Sequence, residues 1–138
     1  MAGELKVELS QVSASASEGS IGRHLIPIDR PVAKGGSDAG PMGGELFLAS
    51  VGGCFMSNLL AAIKAREAAV SDVRLEVIGT LSDAPPTRFS RLELRVTADT
   101  PDIGLLEKLT EIADRGCIMM NTLRDTLDLS VSAEIATR

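Results

Sequence analysis

The chain has 138 residues, of which 44% are hydrophobic and 24% are charged, proportions typical of one soluble globular domain. Its net charge of −5 and the absence of any basic run argue against nucleic-acid binding and against attraction to anionic membranes. Trp and Tyr are absent, so stacking on bases is also disfavoured. The first ten residues, MAGELKVELS, have no features of a secretory signal. We therefore expect a cytoplasmic protein.

The first third of the chain predicts two strands and a long loop. Residues 4–12 alternate between apolar and polar side chains, which is typical of a half-buried strand. Residues 13–20 (SASASEGS) predict a polar loop or hairpin connection, and residues 24–29 predict a second strand. Residues 31–44 are rich in Gly and Pro and predict a mobile loop. This loop lacks the GK[ST] ending of a phosphate-binding loop, so we expect no nucleotide and no bound cofactor.

An unusually apolar segment follows, since residues 46–63 include no charged side chain over 18 positions. This length is sufficient for a membrane span. Interrupting Gly, Ser and Asn residues and the charged flanks Glu45 and Lys64 favour a buried central helix instead. One chain of this size has difficulty covering such a helix on every side, so its packing against a second copy in a homodimer is predicted.

The rest of the chain predicts two strands, a helix, a short helical turn and a last strand. Residues 72–81 and 88–98 both alternate with a period of two and predict an antiparallel hairpin. Thr100 and Pro101 predict the N-cap and first position of a helix that ends at Gly116. The last strand is predicted at 127–135. The order β-β-α-β-β-α-β predicts an α+β fold with antiparallel hairpins, as a single domain over residues 1–138.

The two cysteines are the candidates for chemistry. Cys54 lies in the apolar helix directly after two glycines, which would let a substrate or another backbone approach the sulfur. Cys117 follows Gly116, where the free N–H groups of a new helical turn favour a thiolate. The alternatives are two inert buried thiols, or a structural disulfide, which a reducing cytosol disfavours. Together with the single His24 they are too few and too dispersed to predict a metal site.

A reactive thiolate also needs a stabilising group. Arg23, Arg30 and Arg115 are the cations nearest to predicted turns. Two roles are open for Glu45. It is either just a residue at the start of the central helix, or a functional residue that orients an arginine or reaches the thiol of a partner subunit. It precedes Cys54 by nine residues, about two and a half helical turns, so its carboxylate does not reach that thiol along one straight helix.

The run GPMGGELFLASVGGC, ending at Cys54, together with CIMMNTL, beginning at Cys117, resembles the OsmC/Ohr family. The element order and the Gly-rich loop before a central helix extend the resemblance over nearly the whole chain. The resemblance implies an intertwined homodimer in which two central helices pack together. It also implies that Cys54 attacks an organic hydroperoxide and becomes a sulfenic acid, and that Cys117 resolves it as a disulfide. An external dithiol reductant would restore both thiols.

The chain departs from the family peroxidases in two supporting residues. The arginine that their N-terminal hairpin supplies would fall in SASASEGS, which has none, and Arg23 is the nearest substitute. Glu45 lies one residue closer to Cys54 than their glutamate does, which resembles an OsmC-like branch with a GGC motif. The resemblance thus implies a thiol-dependent peroxidase that uses Cys54 and Cys117 with support from Arg23 and Glu45.

A non-enzymatic alternative uses the same fold. An OsmC-like stress protein would bind an apolar small molecule in a cleft near Cys54, and its cysteines would serve packing or redox sensing. Four methionines are candidates to line that cleft, although filling the core is their commoner role. They are Met42, Met56, Met119 and Met120.

Overall fold

A computed structural model describes residues 3–137 of the chain. The strands are β1 (Glu8–Gln11), β2 (Ser17–Ile21), β3 (His24–Ile28), β4 (Ser71–Leu81), β5 (Phe89–Asp99) and β6 (Asp128–Ile135), and the helices are α1 (Gly43–Ala65), α2 (Ile103–Gly116) and α3 (Ile118–Leu123). They form two three-stranded sheets, β1-β2-β3 and β4-β5-β6. The chain divides into two compact units, one up to Phe47 and one from Leu48 onward. The single domain over 1–138 stays a prediction.

The sheet of the first unit differs from the prediction in two ways. The strand predicted at 4–12 is shorter, and all four residues of β1 are exposed instead of half-buried. Part of the predicted loop 13–20 forms β2, which pairs antiparallel with both β1 and β3. A tight turn explains this pairing, because the Ala16 carbonyl accepts the N–H of Val12 at 2.9 Å and so returns the chain alongside β1. The sequence did not predict β2 because its residues are mostly polar and do not alternate with apolar ones.

The segment after β3, predicted as a mobile loop, is closely hydrogen-bonded around one buried carboxylate. Asp29 is 3% exposed, and its carboxylate accepts the N–H groups of Arg30, Ser37 and Ala39 at 2.7 to 3.1 Å. These donors, the Ala39 N–H above all, hold the pKa of Asp29 below its usual range, although burial opposes them. A Cβ at Gly36 would overlap the Arg30 backbone, so the fold requires glycine there. Backbone donors, not apolar packing, define this segment.

In the second unit, one face of the sheet forms the core. β4 and β5 pair antiparallel as predicted, whereas β6, whose pairing the sequence left open, lies parallel to β5. The parallel pairing follows from α2 and α3, which return the chain across one face of the sheet before β6 begins. Fully buried side chains from β5 and α2 meet at this face: Leu92, Leu94, Leu106 and Leu109.

The start of α2 corrects a predicted helix cap. The N-cap is Asp102, whose carboxylate accepts the Leu105 N–H at 3.2 Å, and Pro101 lies just before the helix. Thr100, the predicted N-cap, is buried, and its hydroxyl accepts the Asp102 N–H at 3.3 Å. An aspartate two positions later satisfies a free N–H of the first turn, which fixes the start of α2 after the proline.

Helix α1 confirms the predicted central helix and extends it at both ends. Its buried residues lie on one side: Val51, Gly52, Phe55, Leu59 and Ala62. Gly52 lets the helix approach β4, since a Cβ there would lie 2.8 Å from a methyl group of Val77. The helix is long and apolar enough to cross a membrane by length and composition, and 28% of its most apolar 18-residue window is buried. Its packing on β4 favours a core helix with one face uncovered in the single chain.

Candidate active site

The structure brings the two cysteines together. Cys54 lies on α1, and Cys117 occupies the single position between α2 and α3. Their side chains are within hydrogen-bonding distance, and the Cys117 thiol is the donor to the Cys54 sulfur. Cys117 is fully buried, Cys54 is half-buried, and both are free thiols. The more accessible sulfur therefore belongs to Cys54, and a buried thiol supports it from within.

Three donors stabilise a thiolate at Cys54. The N–H of Met119 contributes most to lowering the pKa of Cys54 below that of an ordinary thiol; burial opposes it, and the Cys117 S–H and the Ile118 N–H also lower it. These N–H groups are available because α3 begins at Ile118, and the first N–H groups of a helix lack partners within the helix. Hydrogen bonds to the charged form favour that form, so the start of α3 promotes ionisation of Cys54.

Cys117 has the opposite tendency. Burial raises the pKa of Cys117, the Met120 N–H opposes this, and the hydrogen bond and charge of Cys54 raise it further. The expectation of a favoured Cys117 thiolate is therefore wrong, although the N–H groups invoked for it are present. The Met120 and Met119 N–H groups lower the pKa of Cys117, but its burial outweighs them. The Met119 and Ile118 N–H groups also lower the pKa of Cys54. The pKa of Cys54 is therefore lowered and that of Cys117 raised, so Cys54 is the thiol that ionises first.

The elbow between α2 and α3, residues 114–118, is fixed by its own hydrogen bonds. The Asp114 carbonyl accepts the Cys117 N–H at 3.3 Å. The Arg124 guanidinium donates to both the carboxylate and the carbonyl of Asp114 at 3.2 Å. Asn121 donates its amide N–H to the Arg115 carbonyl at 3.0 Å. The carbonyls of Asp114 and Arg115 are thus satisfied, and Cys117 is held by its own N–H and by its carbonyl, which accepts the Asn121 N–H at 2.9 Å.

Asn58, which the sequence reasoning missed, also belongs to this site. Its Nδ2 donates to the Cys54 carbonyl at 2.9 Å, one helical turn earlier on α1. The available signal was an amide side chain four residues after a cysteine within an otherwise apolar run. Half-buried amides in such surroundings require hydrogen-bond partners, which makes Asn58 a candidate for a defined role.

The predicted supporting residues Arg23 and Glu45 are described within the first unit, whereas both cysteines belong to the second. Glu45 accepts the Met42 N–H at 3.0 Å, as a residue at the start of a helix does. Arg23 is exposed in the turn between β2 and β3, and both residues belong to the first unit, so their roles stay predictions. Arg115 pairs with Glu111 instead of a cysteine. His24 is exposed at the start of β3, and residues 3–137 include no group of three His, Cys, Asp or Glu side chains that could hold a metal.

Apolar surface lies close to the thiols. Ile118 is 69% exposed, although its N–H donates to Cys54. A groove of about 410 Å³ runs beside α1 and is lined by Leu48, Ala49, Gly52, Gly53, Met56, Leu75 and Val77. Of the four methionines predicted to line a cleft, Met56 lines this groove, whereas Met120 is fully buried in the core. Met42 belongs to the first unit, and Met119 contributes its N–H to the site.

The fold and the sequence have clear relatives. The family described as OsmC-like protein matches residues 35–132, which is more than half of the chain. The chain belongs to the OsmC-like protein family. An OsmC-like protein of Mycoplasma pneumoniae has the same fold, with a TM-score of 0.86, 15% identity and coverage of 99% of this chain and 100% of that one. No curated protein matches the sequence.

Two further solved structures share the fold of this OsmC-like protein. A hypothetical protein of Aquifex aeolicus has a TM-score of 0.84 and 18% identity, with 98% of each chain covered. An organic hydroperoxide resistance protein of Elizabethkingia anophelis has a TM-score of 0.77 and 18% identity, with 99% of this chain and 100% of that chain covered. The resemblance stated from sequence and the α+β fold class are confirmed, and assignment to a GGC branch stays a prediction.

Proposed function

We propose that this OsmC-like protein is a thiol-dependent peroxidase that reduces organic hydroperoxides. The observation that carries the proposal is the pair of free thiols with opposite tendencies to ionise. Cys54 is accessible, and hydrogen bonds lower its pKa, whereas burial raises the pKa of Cys117. A nucleophile must be a thiolate, and a resolving thiol must wait beside it.

In the first step, the Cys54 thiolate attacks the outer oxygen of the hydroperoxide. An S–O bond forms, the O–O bond breaks, and the alkoxide takes a proton from water and leaves as an alcohol. Cys54 becomes a sulfenic acid, so the peroxide has been reduced by two electrons. The N–H groups of Ile118 and Met119 hold the Cys54 sulfur while its charge is lost.

In the second step, the Cys117 sulfur attacks the Cys54 sulfenic acid. A Cys54–Cys117 disulfide forms, and the hydroxyl group leaves as water with the Cys117 proton. An external dithiol then reduces the disulfide in two exchange steps and is itself oxidised to a disulfide. Every electron in the cycle comes from that dithiol, so the cycle requires no bound cofactor.

The apolar surface near Cys54 supports an organic substrate. The exposed Ile118 side chain belongs to a residue whose N–H reaches the reacting sulfur, so an alkyl group of the substrate would find an apolar contact there. The name of the Elizabethkingia relative, an organic hydroperoxide resistance protein, agrees with this class of substrate. We propose Arg23 and Glu45 as supporting residues of lesser effect, since the N–H groups of α3 already stabilise the Cys54 thiolate.

We further propose that the protein acts in the cytoplasm as a homodimer. The uncovered face of α1 and the exposed strands of the first unit support a second copy as the partner. The negative net charge supports neither nucleic acid nor an anionic membrane as a partner.

Stopped-flow oxidation of the reduced protein by cumene hydroperoxide and by hydrogen peroxide, followed by mass spectrometry, tests the peroxidase. We expect faster reaction with the organic peroxide and a Cys54–Cys117 disulfide as the product. Cys54→Ser should abolish turnover. Cys117→Ser should react once and then stop at an oxidised Cys54, because no second thiol can close the disulfide. Thiols that survive a large excess of both oxidants, or full turnover in both variants, would overturn the proposal.

The groove beside α1 favours one second candidate, a binding protein for an apolar small molecule. Its lining is almost wholly apolar, and Gly53 leaves it open at one side. Saturable binding of a fluorescent fatty-acid analogue by the Cys54→Ser variant, combined with inert thiols in the native protein, would favour this candidate over the peroxidase.

A further inference from the structure

The Asn58 side chain lies between the two segments that hold the cysteines. Its Nδ2 donates to the carbonyl of Cys54, and its Oδ1 faces Gly116, the residue before Cys117. One amide therefore bonds to the backbone of the proposed nucleophile and lies beside the residue that precedes the proposed resolving thiol. Within residues 3–137, Asn58 is the one residue of α1 that both bonds to the Cys54 carbonyl and lies beside Gly116.

Glycine at position 116 permits this approach. A Cβ on Gly116 would lie 3.3 Å from the Asn58 Oδ1 and 3.9 Å from its Cγ, and the first distance is tighter than ordinary contact. The Gly116 backbone has no left-handed conformation that would call for glycine. Asn58 thus approaches the end of α2 closely, and a Cβ at position 116 would require its amide to shift by a few tenths of an ångström.

We propose that Asn58, seated against Gly116, is a positioning residue that sets the separation of the Cys54 and Cys117 sulfurs. Gly116 leads directly into Cys117, Ile118 and Met119, so a shift of Gly116 moves the thiol and both N–H donors relative to Cys54. The elbow is fixed internally by Arg124 and Asn121, and therefore moves as one body when its outer contact changes.

The inference rests on the proposed function for the importance of the thiols, but its effects are measurable without any peroxide. Two properties report the geometry. The first is the midpoint of the pH dependence of Cys54 alkylation by iodoacetamide, resolved by peptide mass spectrometry. The second is the effective concentration of the two thiols, obtained from the Cys54–Cys117 disulfide equilibrium in a glutathione buffer. A residue that merely supports folding would move neither property in a folded protein.

We expect Gly116→Ala to raise the alkylation midpoint of Cys54 and to lower the effective concentration by about tenfold, because a small displacement strongly affects groups that must meet. Asn58→Leu, which keeps the size of the side chain but removes the amide, should change both properties in the same direction. Asn58→Ala, which also removes the amide, should lower the effective concentration as well. In the double variant Asn58→Ala with Gly116→Ala, the smaller residue at 58 makes room for the new methyl group, so the methyl group should add no further loss to that of Asn58→Ala alone.

Ser57→Ala is the matched control, since Ser57 is exposed on the same turn of α1. It should leave both properties unchanged. The inference would be overturned if Asn58→Leu and Gly116→Ala fold but keep the native alkylation midpoint and effective concentration. It would also be overturned if the Gly116→Ala methyl group lowers the effective concentration of the double variant below that of Asn58→Ala alone. If the native protein does not react with hydroperoxides while these variants still change the alkylation midpoint and the effective concentration, the proposed function fails and the positioning role stands.

Discussion

The two units of the chain are stabilised in different ways. The second unit buries a continuous apolar layer, in which β5 and α2 contribute leucines with no exposed surface. In the described part of the first unit, the buried side chains are those of Ala16 and Asp29. Its order comes from backbone hydrogen bonds to one carboxylate, while Leu9, Ile21 and Leu25 on its strands stay exposed. The second unit therefore has an apolar core of its own, whereas the exposed apolar side chains of the first unit predict that another surface packs on them.

The largest effect is expected from a substitution on the exposed apolar face of the first unit's sheet, where a second copy is proposed to pack. Leu9, on β1, is 60% exposed and shares a sheet face with Ile21 and Ile26. If a second copy covers this face, the native protein sediments as a dimer, and Leu9→Glu raises the dimer Kd by about 30-fold or more, as loss of a central apolar anchor does. Analytical ultracentrifugation over a concentration series measures this change.

Ser10→Glu is the control for the same charge on the opposite face of β1, and we expect little effect on the dimer Kd. A native protein that stays monomeric at high concentration would contradict the homodimer. A dimer that Ser10→Glu weakens as much as Leu9→Glu would show that the wrong face has been assigned.

Two neighbouring glycines test the packing of the second unit. A Cβ at Gly52 would lie 2.8 Å from Val77 and 3.5 Å from Leu75, whereas a Cβ at Gly53 would meet nothing within 4 Å. Gly52→Ala should lower the free energy of unfolding by about 1 to 3 kcal/mol through overpacking. Gly53→Ala should raise it by up to about 1 kcal/mol, because alanine is the better helix former.

Urea denaturation of the two glycine variants, with equal slopes, measures the difference between them. Equal effects of the same sign would mean that α1 does not lie on β4 as described. An unusually large loss for Gly53→Ala would instead place another surface against that side of the helix.

The smallest expected effect is that of Asp29 in the first unit. Its pKa in the folded protein lies below that of an unfolded aspartate, chiefly because of the Ala39 N–H. Its contribution to stability is therefore present above the ordinary aspartate pKa and is lost as the pH falls through the lower, folded value. Asp29→Asn should lower the urea midpoint at neutral pH, and the difference from the native protein should shrink in acid. A difference independent of pH would contradict the role of the carboxylate charge.

The sequence predicted the elements that apolar patterning controls. The uncharged run around Cys54 predicted α1, and period-two alternation predicted β4, β5 and β6 because one face of each strand carries apolar side chains. Strand β2 was missed because its backbone pairs while its side chains are polar. The segment around Asp29 was misjudged because its partners are backbone N–H groups, which every residue except proline has. The pairing of Cys54 with Cys117 came only from the family resemblance, since no local pattern encodes a contact across 63 residues.

The burial of Cys117 bears on the return half of the proposed cycle. An external dithiol reaches the more accessible sulfur, that of Cys54, and must expel Cys117. In thiol exchange, a thiol with a raised pKa is the poorer leaving group. The opposite attack would expel the better leaving group, Cys54, but it has no path to a buried sulfur. In the proposed cycle, regeneration would therefore be the slow half, and a reductant able to loosen the elbow at Cys117 would set the overall rate.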